Sequence, residues 1–215
     1  MGVNYKEDLF SKMPVVGIMR NFSNESIEAI VPLYKKAGLT TLEITMNSSN
    51  AEEVITHLSK NHPDLNIGAG TVCNIDDLEK ALGAGASFIV TPIMDNEVMQ
   101  VCRESNVPIF PGAFTPLEIY NAWKAGASAV KIFPATQLGP GYVKDVLGPL
   151  NQVKLLPTGG VSIENIEAFF NAGAVGVGMD STIFDKKSIG TQDYDSLFTH
   201  FQKIYEKVEE CLNAS

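Results

Sequence analysis

Apolar residues along this chain follow two rhythms that take turns. Residues 15–20, Val-Val-Gly-Ile-Met-Arg, form a short apolar run ending in a charge. Residues 23–36 then place Ile27, Ile30, Val31 and Tyr34 at helical spacing, with Ser23 or Asn24 as the opening signal and Gly38 as the stop. The unit repeats. Strands are predicted over 40–45, 66–71, 87–91, 107–111, 128–133, 153–158 and 175–179. Helices are predicted over 50–61, 75–82, 96–104, 116–125, 142–147 and 163–171, with a longer last helix over 193–212. Strict strand–helix alternation calls for parallel strands joined by helical crossovers. Eight such units in one domain of 215 residues match a small α/β (β/α)8 TIM barrel. Ala37-Gly38, Ala84-Gly85-Ala86, Ala125-Gly126-Ala127 and Ala172-Gly173-Ala174 sit at the helix-to-strand junctions, where glycine supplies a left-handed cap. The competing architecture is an open doubly wound sheet, but Arg20-Asn21-Phe22-Ser23 after the first strand carries no dinucleotide-binding glycines.

Two strands carry a charge where a buried strand should not. In Ala129-Val130-Lys131-Ile132-Phe133-Pro134, Lys131 points away from the face that Val130 and Ile132 bury. In Thr41-Leu42-Glu43-Ile44-Thr45, Glu43 stands in the same relation to Leu42 and Ile44. In a barrel both would enter the interior, from the second and sixth strands. Burial disfavours the charged form of lysine and leaves a neutral amine able to attack a ketone. A structural ion pair is the other reading of the two residues.

Composition narrows the partners. The chain is 45% hydrophobic and 19% charged, enough for a substantial core. A formal net charge of -9 argues against nucleic acid, although a site can still be locally positive. No apolar run approaches the roughly 20 residues of a membrane span. Residues 1–12 lack the apolar stretch of a signal peptide and read as an N-terminal lead-in. Cys73, Cys102 and Cys211 are odd in number and far apart, which fits reduced thiols in a cytoplasmic protein. His57, His62 and His200 show no metal-ligand spacing, so neither a metal nor a cofactor is expected.

Barrel chemistry collects at the C-terminal strand ends. Those ends are Arg20, Glu43 with Asn47, Thr71, Thr91-Pro92, Pro111-Gly112, Lys131 with Phe133, Thr158-Gly159-Gly160, and Gly178 to Ser181. Consecutive glycines opening a helix leave backbone N–H groups for an anion, and Gly178 and Ser181 would complete that cradle; a tight turn is the plainer reading. Arg20 offers a fork suited to a carboxylate, or it is a solvated rim residue.

Leu42-Glu43-Ile44-Thr45, Gly68-Ala69-Gly70-Thr71-Val72, Pro111-Gly112, Lys131-Ile132-Phe133-Pro134-Ala135 and Thr158-Gly159-Gly160-Val161-Ser162 occur in order on successive strands. Together, over residues 13–184, they resemble the class I 2-keto-3-deoxy-6-phosphogluconate/4-hydroxy-2-oxoglutarate aldolases. The resemblance implies a metal-independent barrel lyase, usually a homotrimer. It would cleave a phosphorylated keto acid to pyruvate and glyceraldehyde 3-phosphate, or 4-hydroxy-2-oxoglutarate to pyruvate and glyoxylate. It also implies that Lys131 forms a Schiff base and Glu43 is the acid/base. Thr71 would contact the pyruvyl part, and Gly159, Gly160 and Ser181 the phosphate, with Pro92 and Phe133 also against substrate.

Two positions depart from the family pattern. Many members have an arginine after the glutamate strand, where this chain reads Met46-Asn47-Ser48. That turn, with Arg20, is closer to the branch acting on 2-keto-3-deoxy-6-phosphogalactonate, and it makes Arg20 the candidate carboxylate partner. In Met179-Asp180-Ser181 an acidic residue stands where the family usually has glycine. The expectation is an outward Asp180 that offers its backbone N–H to phosphate and caps the following turn. A non-catalytic barrel that only binds a phosphorylated metabolite, another phosphate-binding barrel enzyme and a purely structural protein are the rival readings.

Overall fold

The computed structural model describes residues 4–214. A short helix α1 (Glu7–Lys12) precedes β1 (Val15–Met19), α2 (Asn24–Lys36), β2 (Thr41–Thr45), α3 (Ala51–Asn61), β3 (Asn66–Gly70) and α4 (Ile75–Gly83). There follow β4 (Ile89–Val90), α5 (Asn96–Glu104), β5 (Ile109–Phe110), β6 (Gly112–Ala113), α6 (Pro116–Lys124) and β7 (Val130–Ile132). The chain ends with α7 (Ala135–Leu147), β8 (Leu155–Pro157), α8 (Ile166–Asn171), β9 (Val177–Met179), α9 (Lys186–Gly190) and α10 (Tyr194–Asn213).

The result is an α/β fold on a curled, parallel sheet of TIM type. Six strands run in the order β5-β4-β3-β2-β1-β9 and three in the order β6-β7-β8. Hydrogen bonds also pass between the two groups. Thr158, just past β8, forms a parallel bridge with Gly178 of β9. On the other side Ser128 donates its N–H to the Ile109 carbonyl and Lys131 to that of Pro111, each at 2.9 Å.

Several boundaries differ from expectation for identifiable reasons. The strand expected over 107–111 is two segments, β5 and β6, separated by Pro111, which has no N–H for a ladder. The helix expected over 142–147 lies in the second part of α7, which a kink at Gly139, φ 73°, divides from a short segment beginning at Ala135. The lead-in expected over 1–12 lies partly outside the described residues and otherwise contains α1, which buries Phe10. Helix α9 buries none of its residues and so carries no apolar signal. The predicted glycine caps hold, with positive φ at Gly38, Gly85, Gly126 and Gly173.

The core has two parts. A large layer between sheet and helices holds Leu42, Ile44, Val130, Ile132 and Leu155. A smaller cluster fills the hollow of the sheet with Phe10, Val16, Ile18, Phe88, Val90, Phe110, Ala129 and Leu156. Phe10 stacks on Phe110 at 5.7 Å between centroids, and Tyr5 meets Phe88 edge-on at 5.8 Å. This division fixes the direction of Glu43 and Lys131. A one-residue slip of β2 would send Leu42 and Ile44 to the wrong face, and full burial of each is worth about 1.5–3 kcal/mol. Among the described residues no helix is long and apolar enough to cross a membrane.

Candidate active site

Above the aromatic packing the hollow turns polar. Glu43 on β2 is 1% exposed and Lys131 on β7 is 6% exposed. Space for the carboxylate is left by Gly70 on the neighbouring β3, where a methyl group would overlap the Glu43 carboxyl. Glu43 Oε2 is buried without a hydrogen-bond partner. Burial pushes its pKa up, against the lowering influence of Lys131 and Arg20, and Asp180 adds to the rise. Burial pushes the Lys131 pKa down; Glu43 opposes this, Arg20 reinforces it, and Asp180 and Cys73 oppose it. Both shifts run toward a neutral amine beside a protonated carboxyl and away from a buried ion pair. The Lys131 amine lies over the Phe133 ring, 4.9 Å from its centroid.

The loops at the same end gather the other candidates. Arg20, exposed after β1, donates from Nη1 to Asn47 Oδ1 at 3.3 Å. Next to it the Asn21 N–H donates to Ser48 Oγ at 2.9 Å, and Ser48 Oγ lies 3.0 Å from Thr45 Oγ1. The first two loops are thereby tied together, and Arg20 is held near the Glu43–Lys131 pair. Thr71, just past β3, has φ 59°. A β-branched residue in the left-handed region is a backbone outlier, and such strain clusters at functional sites. Cys73 Sγ reaches the Thr71 carbonyl at 3.5 Å. Pro92, Gly112, Phe114 and Phe133 share the wall of a cavity of about 320 Å³.

Gly159 and Gly160 turn the chain after β8 with φ of 94° and 72°. Asn165 pins this turn, accepting from the Ser162 N–H and donating to the Gly160 carbonyl, each at 2.9 Å. Thr182 Oγ1 donates to the Val161 carbonyl at 2.5 Å, which tethers the loop of Ser181 to the glycine turn. The Gly178 backbone lies so close to Thr158 that a methyl group there would overlap the threonine side chain. Asp180 is exposed. Its backbone carbonyl does cap the next turn, accepting from Ile183 and Phe184 at 3.2 and 3.0 Å. Its carboxylate, however, takes the Ser181 N–H and acts electrostatically on both Glu43 and Lys131.

Thr158, which opens the glycine strand end, is buried and shares its parity with the interior Leu156. Cys73 was read only as a thiol, although its influence reaches Lys131. Among the described residues no group of three or more His, Cys, Asp or Glu could hold a metal ion.

A buried amine at a strand end whose pKa burial lowers, with a carboxyl in the same hollow, has the makings of an enzyme that works on carbonyl compounds by amine addition. The family model for KDPG and KHG aldolases matches residues 7–200. The chain belongs to that family and is a class I aldolase, a carbon–carbon lyase working through a Schiff base. It is 33% identical over 195 residues to the 2-dehydro-3-deoxy-phosphogluconate aldolase of Haemophilus influenzae, covering 89% of this chain and 92% of that protein. The 2-dehydro-3-deoxy-6-phosphogalactonate aldolase of Escherichia coli K12 is 32% identical over 176 residues, 81% of this chain and 86% of that one. A solved KDPG aldolase of Legionella pneumophila, with pyruvate captured at low pH as a covalent carbinolamine intermediate, aligns with a TM-score of 0.85 at 26% identity, over 92% of this chain and 96% of that chain.

Proposed function

We propose that this chain cleaves 2-keto-3-deoxy-6-phosphogluconate to pyruvate and glyceraldehyde 3-phosphate, with Lys131 as the Schiff-base lysine and Glu43 as the acid/base. The observation that carries the reading is the buried Lys131 amine sharing one hollow with the unpartnered Glu43 carboxyl. Neutral Lys131 Nζ adds to the C2 ketone, and the Glu43 carboxyl gives its proton to the carbinolamine hydroxyl, which leaves as water and yields an iminium with Glu43 now a carboxylate. Glu43 takes the proton of the C4 hydroxyl, directly or through a water. The C3–C4 bond breaks, its electrons pass into the iminium, and the aldehyde leaves. The remaining enamine is protonated at carbon with help from Glu43, and hydrolysis frees pyruvate and the amine. Acid–base assistance of this kind is worth about 10²–10⁴ in rate.

Around that centre, Arg20 and Asn47 are placed to meet the substrate carboxylate, with Thr71, Pro92 and Phe133 against the pyruvyl part. Gly159, Gly160, Gly178 and Ser181 face the phosphate end. The Arg20–Asn47 bond and the relative that acts on the galactonate epimer favour that epimer as a second substrate, and 4-hydroxy-2-oxoglutarate is a third. The hydrogen bonds at both junctions between strand groups support one closed (β/α)8 barrel in a single domain. Exposed Ile93, Phe114, Leu117 and Tyr120 beside Phe133 supply the apolar face that a homotrimer would cover. The free thiols of Cys73 and Cys102 fit a cytoplasmic enzyme.

The test is borohydride reduction with pyruvate, followed by peptide mass spectrometry. A pyruvyl adduct on Lys131, lost in Lys131→Ala together with cleavage, is expected. An adduct on any other lysine removes Lys131 from the chemistry.

A further inference from the structure

Phe133 and Lys131 stand two residues apart, and the lysine amine lies over the ring face at 4.9 Å from the centroid. Residues spaced by two along extended backbone project to the same side, and Phe133, one residue past β7, still donates its N–H to the Ala113 carbonyl at 3.1 Å, so amine and ring share a side and their rotamers set the approach. Lys131 is 6% exposed and Phe133 is 38% exposed, so a buried amine lies against a ring that solvent also reaches. The face of an aromatic ring is electron-rich and attracts a cation within about 6 Å of its centre.

The other charged or titratable groups acting on the amine come from separate elements. They are Glu43 on β2, Arg20 after β1, Asp180 after β9 and Cys73 after β3. Arg20 is a cation and opposes positive charge on the nitrogen. Glu43, the nearest carboxyl in chemical role, has to change its protonation during the reaction. The ring is the neighbour whose attraction for a cation does not depend on where a proton sits.

We propose that Phe133 is a catalytic residue whose ring face stabilises the positive charge that appears on Lys131 Nζ when the iminium forms. The proposal rests on the Schiff-base role of Lys131. In the step concerned, a neutral amine, the ketone and one proton give the iminium and water. The C2–O bond breaks, the C2=N bond forms, and the nitrogen acquires a charge. Starting instead from the protonated amine, the ketone gives the same iminium and water, and the nitrogen is charged before and after. The ring therefore assists only where the free amine is neutral. Lys131 is neutral above its depressed pKa and protonated below it, which gives the effect a pH signature that loss of packing would not have.

The experiment uses the full chain with Phe133→Leu and Phe133→Tyr. The equilibrium constant for the pyruvate adduct on Lys131 is measured by borohydride trapping and mass spectrometry across pH. Phe133→Leu is expected to lower it by about 2- to 30-fold on the alkaline side, the range for a partly to fully desolvated cation–π contact. The loss fades toward the acid side, and Phe133→Tyr behaves like wild type. No loss in Phe133→Leu, or a loss of equal size at every pH, overturns the proposal. If thermal unfolding shows that the leucine variant does not fold, pentafluorophenylalanine at position 133 keeps the ring's shape and reverses its quadrupole. Wild-type adduct formation with that residue also overturns the proposal. A wild-type protein that traps pyruvate on another lysine, or not at all, overturns the Schiff-base role and this proposal together. Wild-type trapping on Lys131 with an indifferent Phe133 variant overturns this one alone.

Discussion

The space for Glu43 can be removed without altering any reacting group. Gly70 pairs with Thr45 across the β2–β3 ladder, and a methyl group built on it would collide with the Oε1, Cδ and Cγ atoms of Glu43. The Gly70 backbone is not left-handed, so Gly70→Ala is not strained at its own dihedrals. The side chain of Glu43, 1% exposed, has to swing aside within a packed hollow. Overpacking of this kind costs about 1–3 kcal/mol, and replacing glycine returns about 0.4–1 kcal/mol through the unfolded chain. The net loss is then about 0.5–2 kcal/mol, or roughly 1–8 °C in Tm for a chain of this length. The effect on chemistry is larger, because a displaced carboxyl forfeits acid–base help worth about 10²–10⁴ in rate. Lys131 is untouched, so pyruvate trapping persists. Pyruvate release followed by a coupled dehydrogenase, beside thermal unfolding and borohydride trapping, separates these effects. Wild-type kcat in a folded Gly70→Ala protein would refute the claim that this carboxyl position matters.

Glu43→Gln is expected to trap pyruvate while turning over about 10²–10⁴ more slowly; near-normal turnover would take Glu43 out of proton transfer. The same variant tests the electrostatics of the pair. The folded-state pKa of Glu43 is raised, so wild-type stability falls as pH climbs past the ordinary carboxylate range. Glu43→Gln should therefore gain Tm relative to wild type toward alkaline pH, and a gain confined to acid pH would contradict the raised pKa. Asp180→Gly frees the Ser181 N–H and removes a charge near the mouth. Its kcat/KM should rise for phosphorylated substrate and stay level for 4-hydroxy-2-oxoglutarate; an unchanged ratio of the two would show that Asp180 does not discriminate at the phosphate end.

The inward course of Glu43 and Lys131 was legible because Leu42, Ile44, Val130 and Ile132 mark the opposite face of each strand, and strand parity leaves no third option. The αβ alternation was legible for the same reason, since each element carries its own apolar period. Other features depend on contacts between distant residues. Helix α1 is six residues long with one buried side chain, Phe10, too little for a periodic signal. The conformation of Asp180 follows from its bond to the Ser181 N–H, which residue type alone does not dictate. The left-handed Thr71 violates its own propensity and is imposed by its surroundings. The distance between the Lys131 amine and the Phe133 ring depends on rotamers, which parity does not specify.

In the closed barrel proposed above, the plug of Phe10, Tyr5, Phe88 and Phe110 would leave the hollow a vessel with one opening. Substrate, both products and the water that cuts the last imine must share that opening. The aldehyde is released while pyruvate is still tied to the amine, so it must clear the passage before hydrolysis can finish. Product departure is thereby ordered, aldehyde first and pyruvate second, by the shape of the container as much as by the sequence of bonds. In the reverse, synthetic direction the same shape requires pyruvate to be seated before the aldehyde enters.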